Sequence, residues 1–161
     1  MTPAALHTWT TDSPEATEAF AHDLARRLPD GAVVTLEGSL GAGKTVFARG
    51  LARGLGITEP VTSPTFAIVQ EYPRPDGGWF YHLDLYRIQG PADALAFGLE
   101  EFLFRPGTLT AIEWAERIAG LLAAEAHGNA PLVPVTLAML DEHRHTISLP
   151  AKLAKRLSLT N

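Results

Sequence analysis

Cysteine is absent from the chain, which excludes disulfide bonds and metal sites built on thiolates. Lysine is scarce, with three residues among 161, and the formal net charge is -5. Nucleic-acid phosphates require clustered Lys and Arg, so this composition argues against strong nucleic-acid binding by the chain alone. No apolar run approaches the roughly 20 residues that span a bilayer, and the N-terminus lacks the basic and apolar segments of a targeting signal. We therefore expect a cytoplasmic protein without membrane association.

The length and the hydrophobic content both fit one folded domain. Of the 161 residues, 46% are hydrophobic, which is enough for one core and hardly for two. The sequence contains neither an internal repeat nor a low-complexity linker. Residues 1–161 are therefore predicted to form a single domain, with a short basic tail over about 151–161.

A glycine-rich segment at residues 38–45 is the strongest motif of the chain. It reads Gly-Ser-Leu-Gly-Ala-Gly-Lys-Thr, which matches the G-x-x-x-x-G-K-T pattern of phosphate-binding loops. Glycines let the backbone turn its N–H groups toward phosphate oxygens. Lys44 supplies a cation for the β- and γ-phosphates, and Thr45 supplies a hydroxyl for Mg²⁺. The pattern predicts a nucleoside triphosphate site, and an ordinary glycine-rich turn is the alternative.

The flanking segments predict that this loop joins a strand at 32–36 to a helix ending near residue 54. Other helices are predicted from Ser13-Pro14-Glu15 to Asp30-Gly31, from 91 to about 104, and over 115–126. Further strands are predicted at 5–10, 66–72, 79–86, 109–112, 133–140 and 145–149. The pair at 66–72 and 79–86 surrounds a Pro- and Gly-rich turn typical of a hairpin. The predicted fold class is therefore α/β, with a mixed parallel and antiparallel sheet flanked by helices.

Two acidic residues follow hydrophobic strand segments and are candidates for chemistry. Asp84 ends an aromatic, apolar run, and Glu113 comes directly after Leu109–Ile112. Open α/β sheets bind their ligands at the carboxyl ends of strands, and triphosphate sites need an acid for the metal and a group that orients water. Surface carboxylates in salt bridges are the alternative for each.

Other candidates surround these acids in the sequence. Residues 62–65 (Thr-Ser-Pro-Thr) offer three hydroxyls, which suit a nucleotide-sensing loop or a capped proline turn. Arg87 is a candidate for phosphate contact or for a solvent ion pair. Trp114 is a candidate for covering a nucleotide or for core packing. His82 is expected to be a packed or hydrogen-bonded strand residue.

Four segments occur in an order that resembles the TsaE (YjeE) family, from about residue 10 to 150. They are Gly38–Thr45, Ser63–Phe66, His82–Arg87 and Glu113–Glu116. The last three, S-P-T-F, H-x-D-x-Y-R and E-W-x-E, are far more specific than the glycine-rich loop. The resemblance implies a P-loop NTPase-like domain that hydrolyses ATP to ADP and phosphate with Mg²⁺, as part of the tRNA threonylcarbamoyladenosine (t6A) pathway.

The resemblance also implies partners. Family members act with the proteins TsaB and TsaD on tRNAs that read ANN codons, and TsaD carries the transfer chemistry. The ATPase is thought to bind that complex and to drive its turnover. The tRNA would then be reached through the complex and not bound strongly by this chain alone.

Site residues carry over by motif position, as the resemblance implies them. Catalytic roles fall to Lys44, Asp84 and Glu113, and the implied metal-binding residues are Thr45, Asp84 and Glu113. The implied nucleotide-binding residues are Gly38, Leu40, Gly41, Ala42, Gly43, Lys44, Thr45, Thr62, Ser63 and Trp114. Which of Asp84 and Glu113 orients water stays open. Ser39 stands where the family commonly has Asp, so residue 39 receives no catalytic role.

Three rival functions fit the same glycine-rich loop. A small-molecule or nucleoside kinase would close an arginine-bearing lid over the phosphate, but only Arg105 lies between Arg87 and Arg117. A GTPase would need N-K-x-D, but neither Asn129 nor Asn161 precedes a lysine. A non-catalytic, nucleotide-dependent binding module stays open.

Overall fold

The computed structural model describes residues 4–126 and 130–159. The strands are β1 (Leu6–Thr11), β2 (Val33–Glu37), β3 (Val69–Pro73), β4 (Trp79–Asp84), β5 (Thr108–Glu113), β6 (Leu132–Met139) and β7 (His145–Pro150). The helices are α1 (Pro14–Arg27), α2 (Lys44–Gly54), α3 (Pro91–Ala96), α4 (Ala119–Glu125) and α5 (Ala151–Arg156). Short 3-10 helices cover Leu99–Phe102 and Ala115–Ile118.

The strands form one seven-stranded sheet in the order β1-β7-β6-β2-β5-β4-β3. The central strands β6, β2, β5 and β4 are parallel to one another. Antiparallel strands extend both edges, with β7 and β1 beside β6 and with β3 beside β4. The mixed sheet and the predicted hairpin are confirmed.

Each face of the sheet covers a separate apolar core. The face under α1 and α2 buries side chains that include Leu24, Phe47, Leu51 and Phe80. The opposite face, under α3 and α4, buries Leu83, Ile112, Ile118 and Leu122 among others. Strand β5 is buried at every position, although Thr108, Thr110 and Glu113 are polar or charged.

Helix α1 starts at the predicted cap, because the Ser13 hydroxyl accepts a hydrogen bond from the Ala16 N–H at 3.0 Å. It then lies unusually close to α2. A Cβ added at Gly50 would stand 2.4 Å from the Glu18 carbonyl oxygen and 2.7 Å from the Ala21 Cβ. Only glycine fits at position 50, because the two helices pack so closely there. Helix α2 begins at Lys44, at the end of the glycine-rich loop.

Several predicted bounds are wrong. The helix predicted over 91–104 is interrupted at Gly98, whose φ of +73° is left-handed and incompatible with a continuous helix. The strand predicted at 66–72 starts only at Val69, because the Ile68 N–H donates to the Pro64 carbonyl in a tight turn. The strand predicted to continue to residue 86 ends at Asp84, whose carboxylate accepts the Tyr86 N–H.

The predicted basic tail is partly ordered against the fold. Residues Leu153 and Ala154 of α5 are buried, and the Arg27 guanidinium donates to the carbonyls of Leu157 and Ser158. The predicted domain bounds 1 and 161, and the asparagines 129 and 161, lie outside the described residues. Within the described ranges, none of the helices has both the length and the apolar character to cross a membrane.

The close approach of α1 and α2 predicts opposite effects for two alanine substitutions. Gly50→Ala should lower the free energy of unfolding by about 1–3 kcal/mol, because its methyl group overlaps the α1 backbone. Gly120→Ala in α4 is the matched control, since no atom lies within 4 Å of its added Cβ. The control should raise stability by about 0.5–1 kcal/mol. Urea denaturation measures both, and equal effects would contradict the close packing.

Candidate functional site

A cleft of about 800 Å³ opens where the carboxyl ends of β2, β4 and β5 meet the start of α2. The described residues that line it include Gly38, Leu40, Gly41, Gly43, Lys44, Thr45, Ser63, Asp84, Glu113 and Trp114 from the predicted set. Ser39, Val46, Thr65 and Tyr86 line it as well. Residues far apart in the sequence thus meet at one sheet edge.

The glycine-rich loop turns sharply into α2. Gly41 and Gly43 have φ values of +83° and +103°, which L side chains rarely adopt. Ala42 is fully buried beneath the loop, and its N–H donates to the Ser39 carbonyl at 3.0 Å. Ala42 therefore supports the loop from below while its neighbours line the cleft.

Lys44 begins α2 and lies across the loop. Its Nζ donates to the Gly38 carbonyl at 2.8 Å and forms no salt bridge with a described carboxylate. The helix N-terminus adds a partial positive charge at the same place. This end of the cleft therefore offers cationic and dipolar attraction for an anion.

Asp84 and Glu113 line the same cleft. They end the parallel strands β4 and β5, lie opposite each other in register, and are each 5% exposed. Asp84 is held at both oxygens, since Oδ2 accepts from the Thr65 hydroxyl at 3.1 Å and Oδ1 from the Tyr86 N–H at 3.0 Å. Both acids therefore lie at the cleft and not in surface salt bridges.

His82 explains how the second carboxylate is held. Its Nε2 lies 2.9 Å from Glu113 Oε2, and the imidazole is fully buried. The expectation of a packed, hydrogen-bonded histidine is confirmed. Its partner was not predicted, because the contact depends on the pairing of two strands about thirty residues apart in the chain.

Trp114 walls the cleft beside Lys44. Its backbone has a left-handed φ of 62°, which turns the chain out of β5 immediately after Glu113. The ring is 37% exposed, contacts Tyr86 edge-to-face, and lies 5.9 Å from Lys44 Nζ. Its position favours covering a ligand over core packing.

The structure places only part of the hydroxyl-rich segment 62–65 in the cleft. Ser63 lines the cleft, and its hydroxyl lies 3.0 Å from that of Thr65. Thr62 is exposed outside the cleft, and its N–H donates to the Tyr72 hydroxyl. Thr65 is one of the three hydroxyls considered for a nucleotide-sensing loop, but it is not among the residues that the resemblance implies, and the structure places it in the cleft.

Arg87 does not line the cleft. Its guanidinium lies 4.6 Å from the centre of the Phe66 ring, and Phe66 is 81% exposed. The structure therefore places Arg87 in a cation–π contact, which is neither the phosphate contact nor the solvent ion pair considered from the sequence.

The hairpin of β6 and β7 supports the glycine-rich loop from behind. A Cβ at Gly38 would approach the Leu137 carbonyl oxygen to 2.4 Å, and His145 Nε2 lies 3.2 Å from the Gly41 carbonyl.

Within the turn between β6 and β7, the pKa of Asp141 is lowered to about 2. The His143 N–H and the Arg144 side chain and N–H stabilise its ionised form.

The oxygen donors of the cleft fit Mg²⁺. Thr45, Asp84 and Glu113 present hydroxyl and carboxylate oxygens, which are ligands that this hard cation prefers. Among the described residues, no group of three or more His, Cys, Asp or Glu side chains is placed to hold a metal alone. That sparse set is typical of Mg²⁺, which proteins often hold through one or two carboxylates and substrate phosphates.

Comparison with known proteins gives one family and one fold. A family model described as "Threonylcarbamoyl adenosine biosynthesis protein TsaE" matches residues 11–145. The tRNA threonylcarbamoyladenosine biosynthesis protein TsaE of Bacillus subtilis is 46% identical over 118 residues, covering 73% of this chain and 72% of its own. That of Rickettsia bellii is 38% identical over 139 residues, covering 86% and 90%. The crystal structure of Bacillus subtilis YdiB superposes with a TM-score of 0.71 at 32% identity, covering 99% of this chain and 98% of its own.

The Asp141 turn predicts a pH dependence of stability. Its pKa in the folded protein, about 2, lies below the ordinary 3.8. Ionised Asp141 therefore favours the folded state above about pH 4, and this contribution is lost as the pH falls toward 2. Titration of the carboxyl ¹³C signal should give a pKa near 2. A value near 4, or an unchanged acid unfolding curve in Asp141→Asn, would contradict the turn geometry.

Proposed function

This chain belongs to the TsaE family of threonylcarbamoyl adenosine biosynthesis proteins, and we propose that it is the Mg²⁺-dependent ATPase of that machinery. It would hydrolyse ATP to ADP and phosphate while acting with TsaB and TsaD on tRNAs that read ANN codons. The observation that carries the proposal is one cleft lined both by Lys44, which forms no salt bridge with a described carboxylate, and by two buried acids. A cytoplasmic location follows from the tRNA substrate of the pathway.

Different groups of the cleft would bind the phosphates, the metal and the attacking water. We expect Lys44 to exchange the Gly38 carbonyl for phosphate oxygens, since an anion competes well for an ammonium group. The N–H groups of the loop and of the first turn of α2 would bind further phosphate oxygens. Thr45 and Asp84 would hold Mg²⁺, which supplies neutralisation of the charge on the β- and γ-phosphates. Glu113 would orient the attacking water.

Two exposed apolar side chains near the cleft support a protein partner. Leu40 at the tip of the loop is 98% exposed, and Phe66, next to Thr65, is 81% exposed. Exposed apolar side chains mark a protein contact site where they form a contiguous patch. With a net charge of -5, the chain is better suited to reach tRNA through TsaB and TsaD than to bind it directly.

The kinase alternative lacks support in the cleft. No arginine occurs among its described lining residues, whereas phosphoryl-transfer enzymes commonly use arginine to stabilise the transferred phosphate. Arg87, the nearest candidate by sequence, contacts Phe66. ATP hydrolysis with water as acceptor is therefore favoured over transfer to a small molecule.

Hydrolysis with and without the partners tests the proposal directly. Phosphate release from ATP should rise when TsaB and TsaD are added, and should fall by roughly 10²-fold or more in Lys44→Ala, because a charge donor to the transition state is lost. Lys152→Ala in α5 is the control and should behave as wild type. Release that no partner stimulates would favour the passive binding module. Phosphorylation of an added nucleoside would favour the kinase.

The assignment of Asp84 to the metal predicts an effect that depends on Mg²⁺. Asp84→Asn keeps the shape of the side chain but removes its charge, so affinity for a non-hydrolysable ATP analogue should fall about 10-fold with Mg²⁺ present. Without Mg²⁺ the affinity should change little. Asp93→Asn, a half-buried carboxylate that accepts the Gln89 N–H outside the cleft, is the control. Equal losses with and without Mg²⁺ would give Asp84 a structural role.

A further inference from the structure

The buried contact between His82 and Glu113 exists because β4 and β5 are parallel neighbours. His82 lies opposite Ala111 in the register, and Glu113 is two residues further along on the same face. The imidazole therefore reaches diagonally to the carboxylate, with Nε2 2.9 Å from Oε2. Phe80, two residues before His82, stacks beside the ring with centroids 6.5 Å apart. The ring is thereby held in one orientation.

The surroundings of the ring specify which nitrogen donates. An ionised carboxylate only accepts hydrogen bonds, so the contact with an ionised Glu113 requires the proton on Nε2. His82 Nδ1 is buried and has no hydrogen-bond partner among the described residues. A lone pair in that place costs less than an unpaired N–H would, so the Nε2–H form is favoured.

The two acids are held in different ways. Both oxygens of Asp84 accept hydrogen bonds, Oδ2 from the Thr65 hydroxyl on the loop before β3 and Oδ1 from the nearby Tyr86 N–H. Glu113 accepts only one, from His82 at Oε2, and no described residue hydrogen-bonds its Oε1. Glu113 thus keeps one free oxygen at the cleft, and a single side chain determines where that oxygen lies.

We propose that His82 is a positioning residue for Glu113, donating from Nε2 to Oε2 so that Oε1 is fixed for the attacking water. This inference rests on the proposed ATPase function, and it separates the two acids: Glu113 orients water, and Asp84 holds the metal. His82 itself touches neither water nor nucleotide. Its loss should therefore slow turnover without weakening ATP binding.

Substitutions that keep or remove the donor test this role. His82→Gln retains an N–H near the place of Nε2, and His82→Leu removes it at similar volume. In the presence of TsaB and TsaD, His82→Leu should lower kcat about 10- to 100-fold and leave the KM for ATP within about two-fold. His82→Gln should recover most of kcat. Thr110→Val is the control for stability, since its buried hydroxyl donates to the Phe102 carbonyl away from the cleft.

The outcomes separate this inference from the proposed function. If the wild-type protein hydrolyses no ATP in the presence of TsaB and TsaD, the ATPase assignment is wrong. Wild-type activity with an unchanged kcat in His82→Leu would overturn only the role of His82, as would a loss that Gln does not restore or that Thr110→Val reproduces. If His82→Leu fails to fold, His82→Asn replaces it, because its shorter amide reaches only the place of Nδ1.

A readout without nucleotide tests the contact itself. In ¹⁵N-histidine NMR spectra of the free protein, Nε2 of His82 should carry a proton and Nδ1 should not. Glu113→Ala should shift the Nε2 signal while leaving that of the exposed His143 unchanged. A proton on Nδ1 alone in the wild type would overturn the proposal.

Discussion

The parallel pairing of β2, β5 and β4 is the constraint on which the site depends. Because the three strands run in one direction, their carboxyl ends meet at one edge of the sheet. The glycine-rich loop leaves β2 there, and Asp84 and Glu113 end the other two strands there. A shift of β4 by one residue would turn both His82 and Asp84 to the opposite face. The register of the sheet thus determines the chemistry of the cleft.

Much of this arrangement could be predicted from the sequence, because its signals are local. The glycine-rich loop, the apolar strand runs and the Ser13 cap each lie within a few residues, and the mixed α/β fold follows from them. The bounds that were wrong depend on single backbone conformations. Gly98 ends a helix by adopting a positive φ, and the side chain of Asp84 ends its own strand. Amphipathic periodicity does not reveal either.

The parts of the site that could not be predicted are contacts across the sheet. His82 meets Glu113, and His145 meets the loop at Gly41, only once the strand order is known. Thr65 lines the cleft and donates to Asp84, whereas Thr62 lies outside the cleft and its N–H donates to the Tyr72 hydroxyl. The roles of all the site residues in nucleotide and metal binding stay predictions, and Ala42 and Thr62 do not line the cleft.

A balance of charge connects the fold to the proposed activity. The cleft holds a cationic group, Lys44 at the start of α2, and two carboxylates, Asp84 and Glu113, so Mg²⁺ and a polyphosphate would neutralise both together. Calorimetric titration of the wild-type chain with a non-hydrolysable ATP analogue at millimolar Mg²⁺ tests this most directly. We predict saturable uptake of one nucleotide per chain. Absence of binding by folded protein, with and without TsaB and TsaD, would contradict it.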